Sequence, residues 1–114
     1  MKLSKIVDVC HLEKIVFGTD CEISNGYCGD LMSDVMANAR TNSIWITIQA
    51  HKNSIAVAII KDIKAIVFTN NVPVSQEMID KAEEEEIAIF ITGKDSFTVS
   101  GEIYSLMEDK TAKD

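Results

Sequence analysis

The sequence predicts an α/β fold: a single three-layer domain with a mainly parallel sheet and flanking helices. Three observations carry this reading. Residues 43–71 run as strand, polar break, apolar helix and strand, and two buried strands joined by a helix make a right-handed βαβ unit with parallel pairing. The alternation then continues, with an acidic helix over 76–86 and a third buried strand over 87–92. Finally, 114 residues suffice for one domain that buries a core without disulfides or metal.

Each element has a local cause. Residues 3–11 place Leu3, Ile6, Val7 and Cys10 at i, i+3, i+4 and i+7, one apolar helical stripe, with Ser4 available to cap its first turn. Residues 14–18 form a short apolar strand stopped by Gly18-Thr19-Asp20. Residues 22–28 form the next, and Ser24-Asn25-Gly26 predicts a bend or bulge inside it. Gly29-Asp30 then turns into a helix capped by Asp30, with Leu31, Met32, Val35, Met36 and Ala39 inward and Asp34, Asn38 and Arg40 outward. Thr41-Asn42 ends it.

Residues 43–49 are β-branched and aromatic, and Trp45 is expected to pack. Asn53 or Ser54 caps the next helix, whose residues 55–60 are apolar on every side; that predicts cover on more than one face. The strand at 65–68 closes on Asn70-Asn71. Val72-Pro73-Val74 is extended, and Ser75 caps the acidic helix, which has a narrow apolar face of Met78, Ile79 and Ala82 and a solvated end at Glu83 to Glu86. After Gly93-Lys94, Asp95 or Ser96 caps the last helix, with Phe97, Ser100, Gly101, Tyr104 and Met107 at helical spacing. Gly101 costs that helix about 1 kcal/mol relative to Ala, which predicts a close backbone contact there. The domain spans 1–107, and 108–114 form a charged tail.

Composition narrows the function. The chain is 46% hydrophobic and 25% charged, ordinary for a soluble globular protein. Its net charge is −7, from 18 acidic and 11 basic residues, and Arg40 is the sole arginine. That argues against nucleic-acid backbones and against anionic membranes as partners. No secretory signal opens the chain, and its apolar runs are too short to span a bilayer, so a cytoplasmic location is expected. Cys10, Cys21 and Cys28 are odd in number and irregularly spaced, as reduced thiols are.

Several stretches together resemble the DRTGG domain family. They are Gly29-Asp30-Leu31-Met32-Ser33-Asp34-Val35-Met36 entering a helix, Ile46-Thr47-Ile48-Gln49 ending a strand, the helix around 55–60 and the strand at 66–69. Ile79 to Ala82 before a strand near Ile87, and Ser96-Phe97 opening the final helix, complete the pattern, which covers about residues 3–107. The resemblance implies a fold like the N-terminal domain of HPr kinase/phosphorylase. It also implies a regulatory role, because the family occurs alone, beside CBS pairs in some inorganic pyrophosphatases, and fused to phosphate acetyltransferase. It implies oligomeric modules, and for small standalone members a neighbourhood of hydrogenase and redox genes. Many relatives carry a Gly-Asp-Arg turn after the central strand; here the turn is Gln49-Ala50-His51-Lys52-Asn53, and the DRTGG string itself is absent.

Phosphoryl transfer would need a phosphate-cradling loop such as GxxxxGK[ST], and the five glycines never fall at that spacing. Cys10, His11, Cys21, Cys28 and His51 lack CxxC or HxxxH spacing, so no metal and no cofactor is expected. A nucleophilic pair of Cys28 with His51 is the enzymatic alternative. The geometric reading is stronger: ligands of parallel sheets bind beyond the carboxyl ends of the strands, at helix N-termini. Those loops are 25–30, 49–53, 69–75 and 92–96, and they offer Gly29, Asp30, Thr47, Gln49, His51, Lys52, Asn53, Asn70, Asn71, Thr92, Lys94 and Ser96. The expectation is a non-catalytic, ligand-sensing homodimer taking a small anionic metabolite or a nucleotide. The alternative is an interaction subunit beside a redox enzyme, with no small ligand.

Overall fold

Three central strands are buried almost end to end because helices cover both faces of the sheet. The computed structural model describes residues 1–109. The strands are β1 (Glu13–Val16), β2 (Asn25–Cys28), β3 (Ser43–Thr47), β4 (Ala65–Phe68) and β5 (Ala88–Ile91). They lie in the order β1-β5-β4-β3-β2, with β2 to β5 parallel and β1 antiparallel to β5 at one edge. The helices are α1 (Leu3–Cys10), α2 (Met32–Asn38), α3 (Lys52–Lys61), α4 (Gln76–Glu84) and α5 (Ser96–Glu108). This is the mainly parallel, three-layer α/β domain that the sequence predicts.

Period-two alternation along the strands builds two cores. Ile44, Ile46, Val67 and Phe90 meet Leu3, Ile6 and Val7 of α1 and Val99 and Ile103 of α5. On the opposite face Trp45, Ile66, Phe68 and Ile89 meet Val35 of α2, Ile55 and Ala58 of α3, and Met78 and Ala82 of α4. Each such large side chain, fully buried, contributes roughly 1.5–3 kcal/mol of transfer free energy.

Local expectations fail at five places, each with a physical cause. Ser4 does not cap α1; its N–H and hydroxyl both donate to the Asp20 carboxylate, at 2.9 and 2.6 Å. The bend expected at 24–26 is absent, and β2 pairs in regular register with β3 from Asn25. The irregularity sits instead in β1, between Lys14 and Val16. Asp30 does not cap α2, and Leu31, in the N-cap position, is 68% exposed rather than inward. The helix α3 is capped by His51 rather than by Asn53 or Ser54; the sheet, α2 and α4 cover it on more than one face, while Ile59 and Ile60 face away from the sheet. On α5 the buried side is Val99 and Ile103, so Phe97 and Tyr104 point outward at 90% and 70% exposure, and Gly101 meets no neighbour. Ser75 and Asp95 do cap α4 and α5, accepting from the Met78 and Thr98 amides. Of the charged tail expected at 108–114, Glu108 is the last residue of α5; the remainder past Asp109 lies outside the described residues.

Candidate functional site

Because β2 to β5 run the same way, the residues that follow them collect along one carboxyl rim. The half of the rim after β2 and β3 is fixed by Asp30. Its Oδ1 accepts from the buried Thr47 hydroxyl at 2.8 Å and from the Ile48 amide at 3.0 Å. Thr47 in turn accepts from the Gln49 amide at 3.1 Å, while Gly29 is pinned by its N–H to Ile46 O and by Trp45 Nε1 donating to its carbonyl. Ser54 donates from inside α3 to Gln49 O. His51 Nδ1 accepts from the Asn53 amide at 3.0 Å, a cap bond that requires Nδ1 to be unprotonated.

The half after β4 and β5 is a second cluster. Asn70 and Asn71 both adopt left-handed backbone, a conformation asparagine tolerates, and their amides donate to Lys94 O and Thr92 O. Thr69, fully buried, shares a hydrogen bond with Ser96 Oγ at 3.1 Å and accepts from Asn70 Nδ2. A side chain at Gly93 would lie 3.0 Å from Asn71 Nδ2, so the glycine marks the close approach of the two loops, and a Cβ there would press on the Asn71 side chain. The Thr69 amide donates to Thr47 O and joins the halves.

The predicted rim residues thus divide by orientation. Asp30, Thr47, Thr92 and Ser96 are spent on holding loops. Lys94 turns away from the rim: its ammonium donates to Cys10 O at 3.2 Å and to Glu102 at 2.8 Å. Gln49, His51, Lys52, Asn53, Asn70 and Asn71 are exposed. Lys52 is the exposed cation at the α3 N-terminus, 3.9 Å from an equally exposed Glu77 and therefore weakly held. Sequence reasoning missed Thr69 and Ser54, whose buried hydroxyls tie neighbouring loops; a threonine ending an apolar strand was the available signal.

Elsewhere, a cavity of about 650 Å³ opens at the opposite rim, lined among others by Asp20, Lys64, Glu83 and Glu86. A second, of about 300 Å³, runs between β2 and α5. Burial raises the Cys10 and Cys21 thiols above their usual range, and the Asp34 carboxylate, hydrogen-bonded to Tyr27, raises that phenol. Cys28 ends β2 as an exposed free thiol. Among the described residues no group of three or more His, Cys, Asp or Glu is placed to hold a metal ion, and no helix is long and apolar enough to cross a membrane.

Most of the chain matches a known sequence family. The sequence model of the DRTGG domain matches residues 28–106, which takes in every rim loop from Gly29 onward. Among solved structures, the fold is similar to the CBS and DRTGG domains of the regulatory region of Clostridium perfringens pyrophosphatase, described as complexed with the activator diadenosine tetraphosphate. The TM-score is 0.73 at 20% identity, covering 89% of this chain and 45% of that one. This chain therefore spans a little under half of that regulatory region, and the likeness is one of fold. No curated protein matches it in sequence. The match over most of the chain, on the fold described above, bears out the resemblance: the protein belongs to the DRTGG domain family.

Proposed function

We propose that this chain is a non-catalytic regulatory module, working as a cytoplasmic homodimer, that senses a small anionic metabolite or nucleotide at the carboxyl rim. One observation carries the proposal. Lys52 stands exposed at the N-terminus of α3, where its charge adds to the positive end of the helix dipole in favouring an anion, beside a loop that Asp30 and Thr47 hold. Gln49, His51 and Asn53 on the same loop, and Asn70 on the neighbouring one, add exposed hydrogen-bonding groups to the rim. Family membership supports a regulatory role. The pyrophosphatase region is described with a nucleotide activator, but that description covers its CBS and DRTGG domains together. An interaction subunit beside a redox enzyme is the second reading, favoured by the exposed Phe97 and Tyr104.

A thermal-shift screen against nucleotides and phosphorylated metabolites tests the first reading. A ligand at one hundred times its Kd stabilises by about 2.7 kcal/mol, so a saturable rise of several degrees is expected, lost in Lys52→Ala. A shift untouched by Lys52→Ala and His51→Ala would move the site off this rim. No shift across the screen, with co-purification of a larger complex, would favour the second reading.

A further inference from the structure

We propose that the cavity at the amino rim of the sheet is a second binding site, and that it takes a linear aliphatic polyamine, with methylenes against its apolar lining and ammonium groups against its acids. Chain direction builds the cavity. Because β1 runs antiparallel to β5, the loop over 17–21 that leaves β1 emerges at the rim where β4 and β5 begin. The helix α4 ends at the same rim, since Ile87 leads from it into β5. Between loop, helix end and strand starts lie about 650 Å³, within the range of small-molecule sites. Leu3, Val16, Ile87 and Ala88, all buried, and the half-buried Ile15 make its lining apolar.

Charge selects the occupant. Asp20, Glu83 and Glu86 line the cavity against a single ammonium, that of Lys64, which Asp62 already pairs at 3.1 Å. Asp20 is the least free of the three acids: it accepts from Ser4 and Cys21 and lies in the field of Lys2. Glu83 and Glu86 are different. Lys81, the only lysine of α4, is taken by Glu84 and Glu85 at 3.8 and 3.4 Å, so among the described residues these two carboxylates have no cation partner. They also stand at the C-terminal end of α4, where the helix dipole adds to the negative potential instead of relieving it. On a chain of net charge −7, an anionic or neutral occupant leaves that repulsion standing. A bare metal ion leaves the apolar lining wet, and among the described residues the acids are not gathered as a metal site. Several ammonium groups joined by methylenes answer both surfaces.

The inference is independent of the anion reading at the opposite rim. Isothermal titration calorimetry with spermidine at about 0.1 M salt tests it on the wild type, on Glu83→Gln/Glu86→Gln and on Gly18→Phe. The double variant removes charge and keeps shape. Gly18 lines the cavity, has no positive φ and has no atom within 4 Å of the place of a Cβ, so Phe obstructs the cavity there without altering charge. Circular dichroism verifies both folds. Saturable binding to the wild type is expected, weakened roughly tenfold by the loss of two exposed ion pairs and at least as much by Gly18→Phe, and not displaced by MgCl2 at equal positive charge. A wild type that binds no spermidine would overturn the site. Displacement by MgCl2, or indifference to Gly18→Phe, would reduce it to a counterion atmosphere and overturn the cavity's part, while indifference to the double variant would overturn recognition by charge.

Discussion

Asp30 offers the sharpest test of how the rim is held. Sequence patterning makes it a helix cap; the structure makes it a brace between the β2 and β3 ends. Replacing it with Ala removes two hydrogen bonds to a carboxylate, one from the Thr47 hydroxyl and one from the Ile48 amide. Bonds to charged groups are worth about 1.5–3 kcal/mol each when sheltered. Asp30 is exposed, so about 1 kcal/mol each is the appropriate share. The loss is then about 2 kcal/mol, or a fall of roughly 8 °C in Tm for a domain of this size. Asp30→Asn keeps an acceptor and costs about half of that.

Urea unfolding, followed by fluorescence of the buried Trp45, measures these values. The decisive experiment is the double-mutant cycle with Thr47→Val. A direct bond predicts a coupling of about 1 kcal/mol between the two positions. A cap predicts additivity, with Asn as good as Asp. Additivity within about 0.3 kcal/mol, or an Ala variant that costs nothing, would refute the brace.

Two further outcomes follow from titratable groups. The Ser4 hydroxyl holds the Asp20 carboxyl below its ordinary value, Lys64 and then Thr41 do so for Asp62, and the Thr98 amide does so for Asp95. A depressed carboxylate adds stability that is complete above its unfolded pKa and is lost as pH falls through the folded one, so Tm should hold near neutrality and drop below about pH 4. The triple Asn variant should show a flatter acid limb, and an unchanged limb would count against these bonds. Among the thiols, burial protects Cys10 and Cys21, so iodoacetamide near neutral pH should modify Cys28 first. A fast phase that survives Cys28→Ser would contradict that order.

Fold class was legible because it depends on period and order, which are local. The apolar runs at β3, β4 and β5, each separated by a capped helix, leave parallel pairing as the economical way to bury both faces. Caps contained within one loop, such as Ser75 and Asp95, were legible for the same reason. Asp30 and Ser4 were misread because each has two competing partners. The nearby amide is visible in sequence, whereas the winning partner, Thr47 or Asp20, lies 17 or 16 residues away.

The sequence by itself determined the family, the alternation of elements and the set of polar residues at strand ends. Tertiary structure decided which of those residues face solvent. Lys52 and Lys94 look alike in sequence, both beside a helix start, yet Lys94 is drawn to Cys10 O and Glu102 while Lys52 stays open. The same holds for α5, whose aromatic spacing fits a helix turned either way. Only packing of Val99 and Ile103 against the sheet fixes its rotation and sends Phe97 outward. Direction around a helix is settled by what the opposing surface leaves room for, and that surface is assembled from residues distant in the chain.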